Sequence, residues 1–442
     1  MRDELKPRSF RDREELRRFQ SSLLAAHVRD LAARSPHYKQ AFKQKGIDPA
    51  TVRSLDDLPS LPFTTKDDLA RDHAAFLSVP RRAVIDNVAT SGSLGAPVPL
   101  LLTERDLQRL AENEHNSLVT AGVTPDDVVQ VITTLNKRFM AGMAYFLGLR
   151  ELGAGIVRSG PGAVPQQWEL IRSCGTTVLL VVPSFLLKML DHAEQVGIDP
   201  NASGVRKAIC IGEAIRDQHG KWNALGTRIR ERWDIELLGT YASTEMATAC
   251  TESHPGSGQH VQARMILVEV IDDNGRQVAS GESGEVVVTP FHVEGMPLLR
   301  FRTGDVCTWH EGELPDGSYG QWLGPVVGRT QQRMKIKGTT LFPSHVIDVI
   351  HSEAAISNFV VIRERDDFGM DNLRILLNLR AVRSGALAGE LEDIATRIAE
   401  RLNVRPEVTL ATDREIDRLK HPAGSRKPIL FIDTVNDQIL KA

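Results

Sequence analysis

Cysteine is scarce in this chain, with only Cys174, Cys210, Cys250 and Cys307 among 442 residues. Four thiols cannot staple a chain of this length, so the fold must rest on hydrophobic cores and the cysteines are expected to stay reduced. Long apolar runs are missing as well. The longest, Val178–Leu187, is interrupted by Pro183 and Ser184. It reads as a buried strand running into a helix, not as a membrane span. The opening stretch MRDELKPRSFRDREELRRF has no apolar segment, which predicts no signal peptide and a cytoplasmic protein. Neither charge dominates: 54 Lys and Arg face 57 Asp and Glu, for a net charge of -3. Nucleic acid and membrane are therefore not expected partners, and an anionic substrate needs a local site. Internal repeats and low-complexity tracts are lacking too.

The length suits two or three structural units. Residues 11–45 carry Leu16, Phe19, Leu23, Leu24, Val28 and Leu31 at helical spacing and predict one amphipathic helix. From about 84 to 250, short apolar runs alternate with helical patterns. Val128–Thr133, Thr177–Val182, Lys207–Ile211 and Glu236–Leu238 read as strands, and Phe139–Leu152 and Phe185–Val196 as helices. Such alternation predicts an α/β fold with a mostly parallel sheet. Residues 258–310 turn β-rich, with Val261–Ile271 and Gly284–Thr289 flanking the turn Asp273-Asn274-Gly275. The Gly- and Pro-rich stretch 311–325 reads as a surface connection. A last α+β unit of about 110 residues follows a boundary near 328–332, with strands at Phe359–Arg363 and Arg374–Leu379 and a helix over Glu390–Leu402.

Several segments carry chemistry. Thr90-Ser91-Gly92-Ser93-Leu94-Gly95-Ala96-Pro97 crowds hydroxyls and glycines together. Glycines let backbone N–H groups approach a polyphosphate, and hydroxyls add donors. A plain turn between two strands has the same composition. The Gly-Lys-Ser/Thr ending of a Walker loop is not there. Ile211-Gly212-Glu213-Ala214 closes the strand that begins near Lys207 and would serve equally as a strand-to-helix turn. Tyr241-Ala242-Ser243-Thr244-Glu245 offers an aromatic, a hydroxyl and a carboxylate, although a Thr-Glu pair is also a common helix cap. Phe301-Arg302-Thr303-Gly304-Asp305 places a carboxylate after a glycine suited to positive φ. Gly328-Arg329-Thr330 precedes Gln331, Gln332 and the basic run Arg333–Lys337. Gly424-Ser425-Arg426-Lys427-Pro428 lies near the end.

In this order the motifs resemble those of the adenylate-forming superfamily, and the branch is similar to phenylacetate–coenzyme A ligases. His37-Tyr38 and Leu61–Leu69 resemble that branch's entry region. The resemblance covers nearly the whole chain. It implies a large N-terminal domain, 1–329, with a β-rich subdomain, that binds ATP and the acid. It also implies a small mobile α+β C-terminal domain, 330–442, carrying the catalytic lysine. The implied roles follow motif by motif. Thr90, Ser91, Gly92, Ser93 and Gly95 cradle phosphate. Gly212, Glu213 and Ala214 lie against adenine, and Tyr241 stacks on it. Thr244 contacts phosphate, and Glu245 binds Mg²⁺. Asp305 grips the ribose hydroxyls, and Arg329 contacts ribose or phosphate. Lys427 stabilises charge as the acyl phosphate forms. Departures are Leu94, Ala96 (the family's lysine), Ala242, Gln331 and Gln332 (an Asp pair in the family), and Arg426.

The acid pocket implied by the resemblance lies on the helix after the Val128–Thr133 strand. Phe139, Met140 and Tyr145 would bound an aromatic ring there, favouring an aryl or arylacetic acid. Lys137 and Arg138 would pair with a polar substituent, meet coenzyme A phosphates or stay solvated. The acceptor implied is coenzyme A. A carrier protein, an amine, or nucleotide binding without turnover are the alternatives, and a homodimer stays open. Cys250, His254, His260 and Cys307 have ligand types suited to structural Zn²⁺. Two buried cysteines and two ordinary histidines account for them equally well.

Overall fold

The computed structural model describes residues 9–90, 97–336, 338–365, 370–380, 387–421, 429–435 and 438–441. The chain forms two compact units. One comprises Met1–Trp222 with Gly226–Val326; the other comprises Asn223–Leu225 with Val327–Ala442.

The first unit opens with α1 (Arg13–Arg34) and α2 (Pro36–Lys45). The single helix expected over 11–45 is thus two. Pro36 lacks the N–H that would continue the ladder and disfavours helical dihedrals at Ser35, which sits at φ -92° and ψ 117°. A short α3 (Lys66–Arg71) is capped by Thr65, whose side chain accepts from the Asp68 N–H while Asp68 reaches back.

Strands β1 (Val84–Ala89) and β2 (Pro99–Thr103) pair as an antiparallel ribbon. Helix α4 (Glu104–Thr120) follows, then β3 (Val128–Ile132), α5 (Met140–Leu152) and β4 (Gly155–Arg158). Next come α6 (Val164–Cys174), β5 (Val178–Val181), α7 (Pro183–Val196), β6 (Lys207–Ile211) and β7 (Glu236–Ser243). The order β4-β3-β5-β6-β7 is parallel throughout. That is the α/β arrangement the alternating pattern predicts. All residues of β5 and β6 are buried, as expected for strands covered on both faces.

The sheet then becomes antiparallel through β8 (Thr248–Thr251), β9 (Gln259–His260), β13 (Tyr319–Leu323), β12 (Phe301–Glu313), β11 (Ser283–Pro290) and β10 (Ile266–Ile271). The stretch 311–325 is therefore mostly strand and not a surface connection. Its glycines and prolines frame a turn between β12 and β13, which pair from Trp309–Leu323 to Glu313–Tyr319.

Leu118, Val129, Val131, Tyr145, Leu149, Leu180 and Ile209 form one apolar cluster against the parallel sheet. Burying each large aliphatic side chain contributes roughly 1.5–3 kcal/mol. Helix α5 packs through two glycines. A Cβ on Gly142 would stand 2.0 Å from the Thr134 carbonyl oxygen, and one on Gly148 would stand 2.3 Å from Glu114 Cβ of α4.

The second unit has a sheet in the order Glu407–Leu410, Asp371–Leu379, Ile356–Arg365, Ile429–Asp433, Gln438–Lys441. Helices Pro343–His351, Leu387–Leu402 and Asp413–Lys420 accompany it. Its core joins Val346, Ile350, Val361, Ile375, Ile398 and Phe431. Inside it, the Arg363 guanidinium bridges Asp371 and Asp433.

Candidate active site

The parallel strands share one C-terminal edge, where ligands bind in open α/β sheets. At that edge β6 passes into Gly212-Glu213-Ala214. Gly212 has φ +75°, a conformation costly for other residues, and turns the chain out of the strand. The Glu213 carboxylate accepts from Ser184 N–H at 2.8 Å and from Ser184 Oγ at 2.9 Å, so it caps the start of α7.

Neighbouring β7 carries Tyr241 near its C-terminal end, with the ring only 6% exposed. Its hydroxyl donates to Asp305 Oδ2 at 3.0 Å. Burial first, then the Asp305 charge, holds the phenol well above its ordinary pKa, so it remains a neutral donor.

Asp305 reaches this position through an interruption in the β11–β12 ladder. Glu285 faces Val306 and Val287 faces Arg302, so residues 303–305 stand opposite Val286 alone. A bulge of this kind bends a strand and re-aims its side chains. Buried Glu285 organises it, accepting from Arg302 Nε at 3.0 Å and from Gly304 N–H at 3.2 Å. Thr303 Oγ1 donates to the Val286 carbonyl at 2.8 Å and accepts from Asp305 N–H at 3.1 Å. Gly304 takes φ +76°. Sequence reasoning missed Glu285, which lies outside any motif.

Thr244 and Glu245 occupy the turn between β7 and β8, where Met246 N–H donates to Ser243 Oγ at 3.2 Å. Both are half-buried, and neither side chain has a hydrogen bond or ion pair among the described residues. A carboxylate and a hydroxyl without protein partners are the oxygen donors a hard cation takes.

Thr90 closes the β1–β2 ribbon. Its N–H donates to the Val98 carbonyl at 3.0 Å, and its Oγ1 accepts from Val98 N–H at 3.0 Å. Ser91, Gly92, Ser93, Gly95 and Lys427 lie outside the described residues. Arg329 belongs to the second unit.

Arg138 differs from expectation. Its guanidinium donates to the carbonyls of Asn87 at 3.0 Å and Val88 at 3.2 Å, and its own carbonyl accepts from Ala89 N–H. It anchors the end of β1, just before Thr90, and is not held out for an acid substituent. Lys137 and Arg138 both have positive φ. Met140 is buried in the same apolar cluster as Tyr241 and Met246. Phe139 caps the start of α5, while Tyr145 faces the other cluster, against the parallel sheet. A cavity of about 350 Å³ lies between Thr134–Asn136 and Arg158–Pro161, and none of the motif residues lines it.

The zinc quartet does not assemble. Among the described residues no three His, Cys, Asp or Glu side chains are placed to hold a metal ion. On β8, Cys250 pairs with Tyr241 while Thr251 pairs with His260. Successive strand residues face opposite sides, so Cys250 and His260 point apart. Cys250 and Cys307 are both fully buried in one apolar cluster, where burial pushes the Cys250 thiol up to about 12. His254 and His260 instead meet at Ser253 Oγ, each at 3.1 Å.

The entry region converges on the start of β12. Tyr38 OH lies 2.7 Å from Thr64 Oγ1 and accepts from Leu299 N–H at 2.8 Å. Thr64 Oγ1 donates to the Leu299 carbonyl at 2.7 Å. Arg300 forks onto the Glu269 carboxylate and donates to the carbonyls of Leu58 and Leu61. The segment that follows is Phe301–Asp305, so these early residues brace the site from beneath.

This fold and motif cluster define a nucleotide-handling α/β enzyme with a small second α+β unit. The chain belongs to the AMP-binding enzyme family, which matches residues 39–293, more than half of its length. It is 28% identical over 429 residues to a phenylacetate-coenzyme A ligase of Aromatoleum evansii, spanning 93% of this chain and 94% of that one. It is 29% identical over 422 residues to a phenylacetate-coenzyme A ligase of Thermus thermophilus, spanning 90% and 93%. In fold it is similar to a 2-hydroxyisobutyryl-CoA ligase in the postadenylation state. That match has a TM-score of 0.83 and 19% identity, and covers 97% of this chain and 91% of the other.

Proposed function

We propose that this chain is an AMP-forming acid–coenzyme A ligase acting on an aryl or arylacetic acid. The observation that carries the reading is the Tyr241–Asp305 contact at the sheet edge. It joins residues from two motifs that are 64 positions apart in sequence.

In the first step a carboxylate oxygen of the acid attacks the α-phosphorus of ATP. The bond to the bridging oxygen breaks, and pyrophosphate leaves with its electron pair. In the second, the sulfur of coenzyme A attacks the acyl carbon and AMP departs. Tyr241 offers its ring to the adenine, and the Gly212–Ala214 backbone borders the base. Asp305 accepts from the ribose hydroxyls and keeps Tyr241 in place. Thr90 with its loop, and Thr244, donate to phosphate oxygens. Glu245 would hold Mg²⁺, which when bound withdraws charge from the phosphates. Phe139 and Met140 would border the acid. Lys427 and Arg329 would complete the adenylating arrangement, with rotation near Gln331 exchanging it for a thiol-accepting one.

The test is acid-dependent ATP–pyrophosphate exchange across aryl, arylacetic and aliphatic acids, followed by product analysis with and without coenzyme A. Exchange with an arylacetic acid and formation of its thioester are expected. Absence of exchange with every acid would identify a nucleotide-binding protein without turnover. Exchange without thioester would shift the acceptor to a carrier protein or an amine. Lys427→Ala should abolish most exchange yet spare thioester formation from supplied acyl-AMP; unchanged exchange would remove Lys427 from the mechanism.

A further inference from the structure

Helix α4 carries a buried polar row that no motif covers: Arg109, Asn113 and Ser117, at 1%, 1% and 5% exposure. Spacing of four puts the three on one face of the helix. They follow β8 almost residue by residue. Arg109 Nη2 donates to Thr248 Oγ1 at 2.9 Å, and its Nη1 donates to the Ala247 carbonyl. Asn113 Oδ1 accepts from Ala249 N–H at 3.0 Å. Ser117 Oγ lies 2.6 Å from Thr251 Oγ1.

The arginine does most of the fastening. Nε donates to the Phe291 carbonyl at 2.6 Å, and Nη2 also reaches the Met265 carbonyl at 2.8 Å. One planar fork thereby ties together the β7–β8 turn, the residue before β10 and the residue after β11. Burial lowers its pKa to about 10, which leaves it charged at neutral pH. Burying a cation among neutral carbonyls is expensive, and a buried Leu or Met could fill the volume without that cost.

The backbone it holds is itself strained. Ala247 sits at φ +47°, a region a residue with a Cβ rarely adopts. Its carbonyl is turned onto the guanidinium. The turn so fixed is the one that presents Thr244 and Glu245.

We propose that Arg109, supported by Asn113 and Ser117, is a positioning residue that sets the β7–β8 turn, and so the Glu245 carboxylate and Thr244 hydroxyl, for the metal–nucleotide complex. This rests on the roles proposed above for Thr244 and Glu245. Arg109 touches no substrate; it acts through the turn.

The full-length chain is assayed by acid-dependent pyrophosphate exchange, varying MgATP, free Mg²⁺ and acid separately. Arg109→Met should raise the KM for MgATP at least about tenfold and raise the Mg²⁺ requirement, with the acid KM within about twofold. Arg109→Lys should recover part of the loss. Thr248→Val, which removes one acceptor and keeps the shape, should shift the same two parameters in the same direction and stands in if Arg109→Met fails to fold. A folded Arg109→Met with unchanged MgATP and Mg²⁺ dependence overturns the proposal. So does a uniform fall in every parameter, which marks a purely structural arginine. Glu245→Gln separates the two levels. If it leaves the Mg²⁺ dependence untouched, the role given to Glu245 fails and this proposal with it; if it alone shifts that dependence, only the role of Arg109 fails.

Discussion

The Tyr241 hydroxyl and Asp305 Oδ2 are 3.0 Å apart although 64 residues separate them in sequence. The bond links the end of a parallel strand to a bulge in an antiparallel one, and it couples the base side of the proposed site to the sugar side. Asp305→Ala removes the proposed ribose acceptor and the acceptor of the buried Tyr241 phenol. Hydrogen bonds to a charged group contribute about 1.5–3 kcal/mol, so AMP affinity should fall roughly 10- to 150-fold by titration calorimetry. An affinity within a factor of two of the parent would remove Asp305 from the nucleotide site.

Glu114 should make stability depend on pH in an unusual direction. Burial raises its carboxyl to about 8, with Asn113 the one side chain among the described residues that donates to it, at 2.9 Å. Folded protein therefore binds a proton that the unfolded chain releases between about pH 4.5 and 8. Stability from this group is full below that window and falls as pH rises through it, by on the order of several kcal/mol. Glu114→Gln should lose less stability between pH 6 and 8.5 in urea unfolding. Parallel pH profiles for variant and parent would show that the carboxyl ionises without cost.

Gly148→Ala tests the contact between α4 and α5. Helix propensity alone favours Ala by about 0.5–1 kcal/mol. The new Cβ would meet Glu114 Cβ at 2.3 Å and its backbone carbon at 2.9 Å, neither a flexible end. Overpacking of about 1–3 kcal/mol should win, so the thermal midpoint should drop. A midpoint equal to or above the parent's would mean that the helices separate at little cost.

Elemental analysis of chelator-washed protein checks the fate of the cysteine and histidine pairs. Zinc well below one atom per chain is expected, since strand alternation faces Cys250 and His260 to opposite sides. Stoichiometric zinc surviving the wash would require a different arrangement of β8 and β9.

The alternating apolar runs made the parallel sheet legible, because fully covered strands such as Lys207–Ile211 must be apolar along their whole length. The motif residues were legible as types, but not their supports. Glu285 and Arg109 sit in strand and helix patterns as ordinary charged residues, and only tertiary packing turns them inward. Arg109, Asn113 and Ser117 at spacing of four look the same as a solvated helix face until β8 lies against them. The Cys and His spacing misled for the converse reason: proximity in sequence says nothing about which side of a strand each residue faces.

The bulge at 303–305 also explains how the Asp305 carboxylate can be set into a sheet without spoiling the rest of it. Two residues are added to β12 relative to β11. The pairing resumes beyond the interruption, with Glu285 facing Val306 and Gly284 facing Cys307, so the extra residues are absorbed locally. Phe301 and Cys307, on either side of the interruption, both stay in the apolar core. The interruption thus lifts Asp305 out of the ladder toward Tyr241 while the strand on both sides keeps its place in the core.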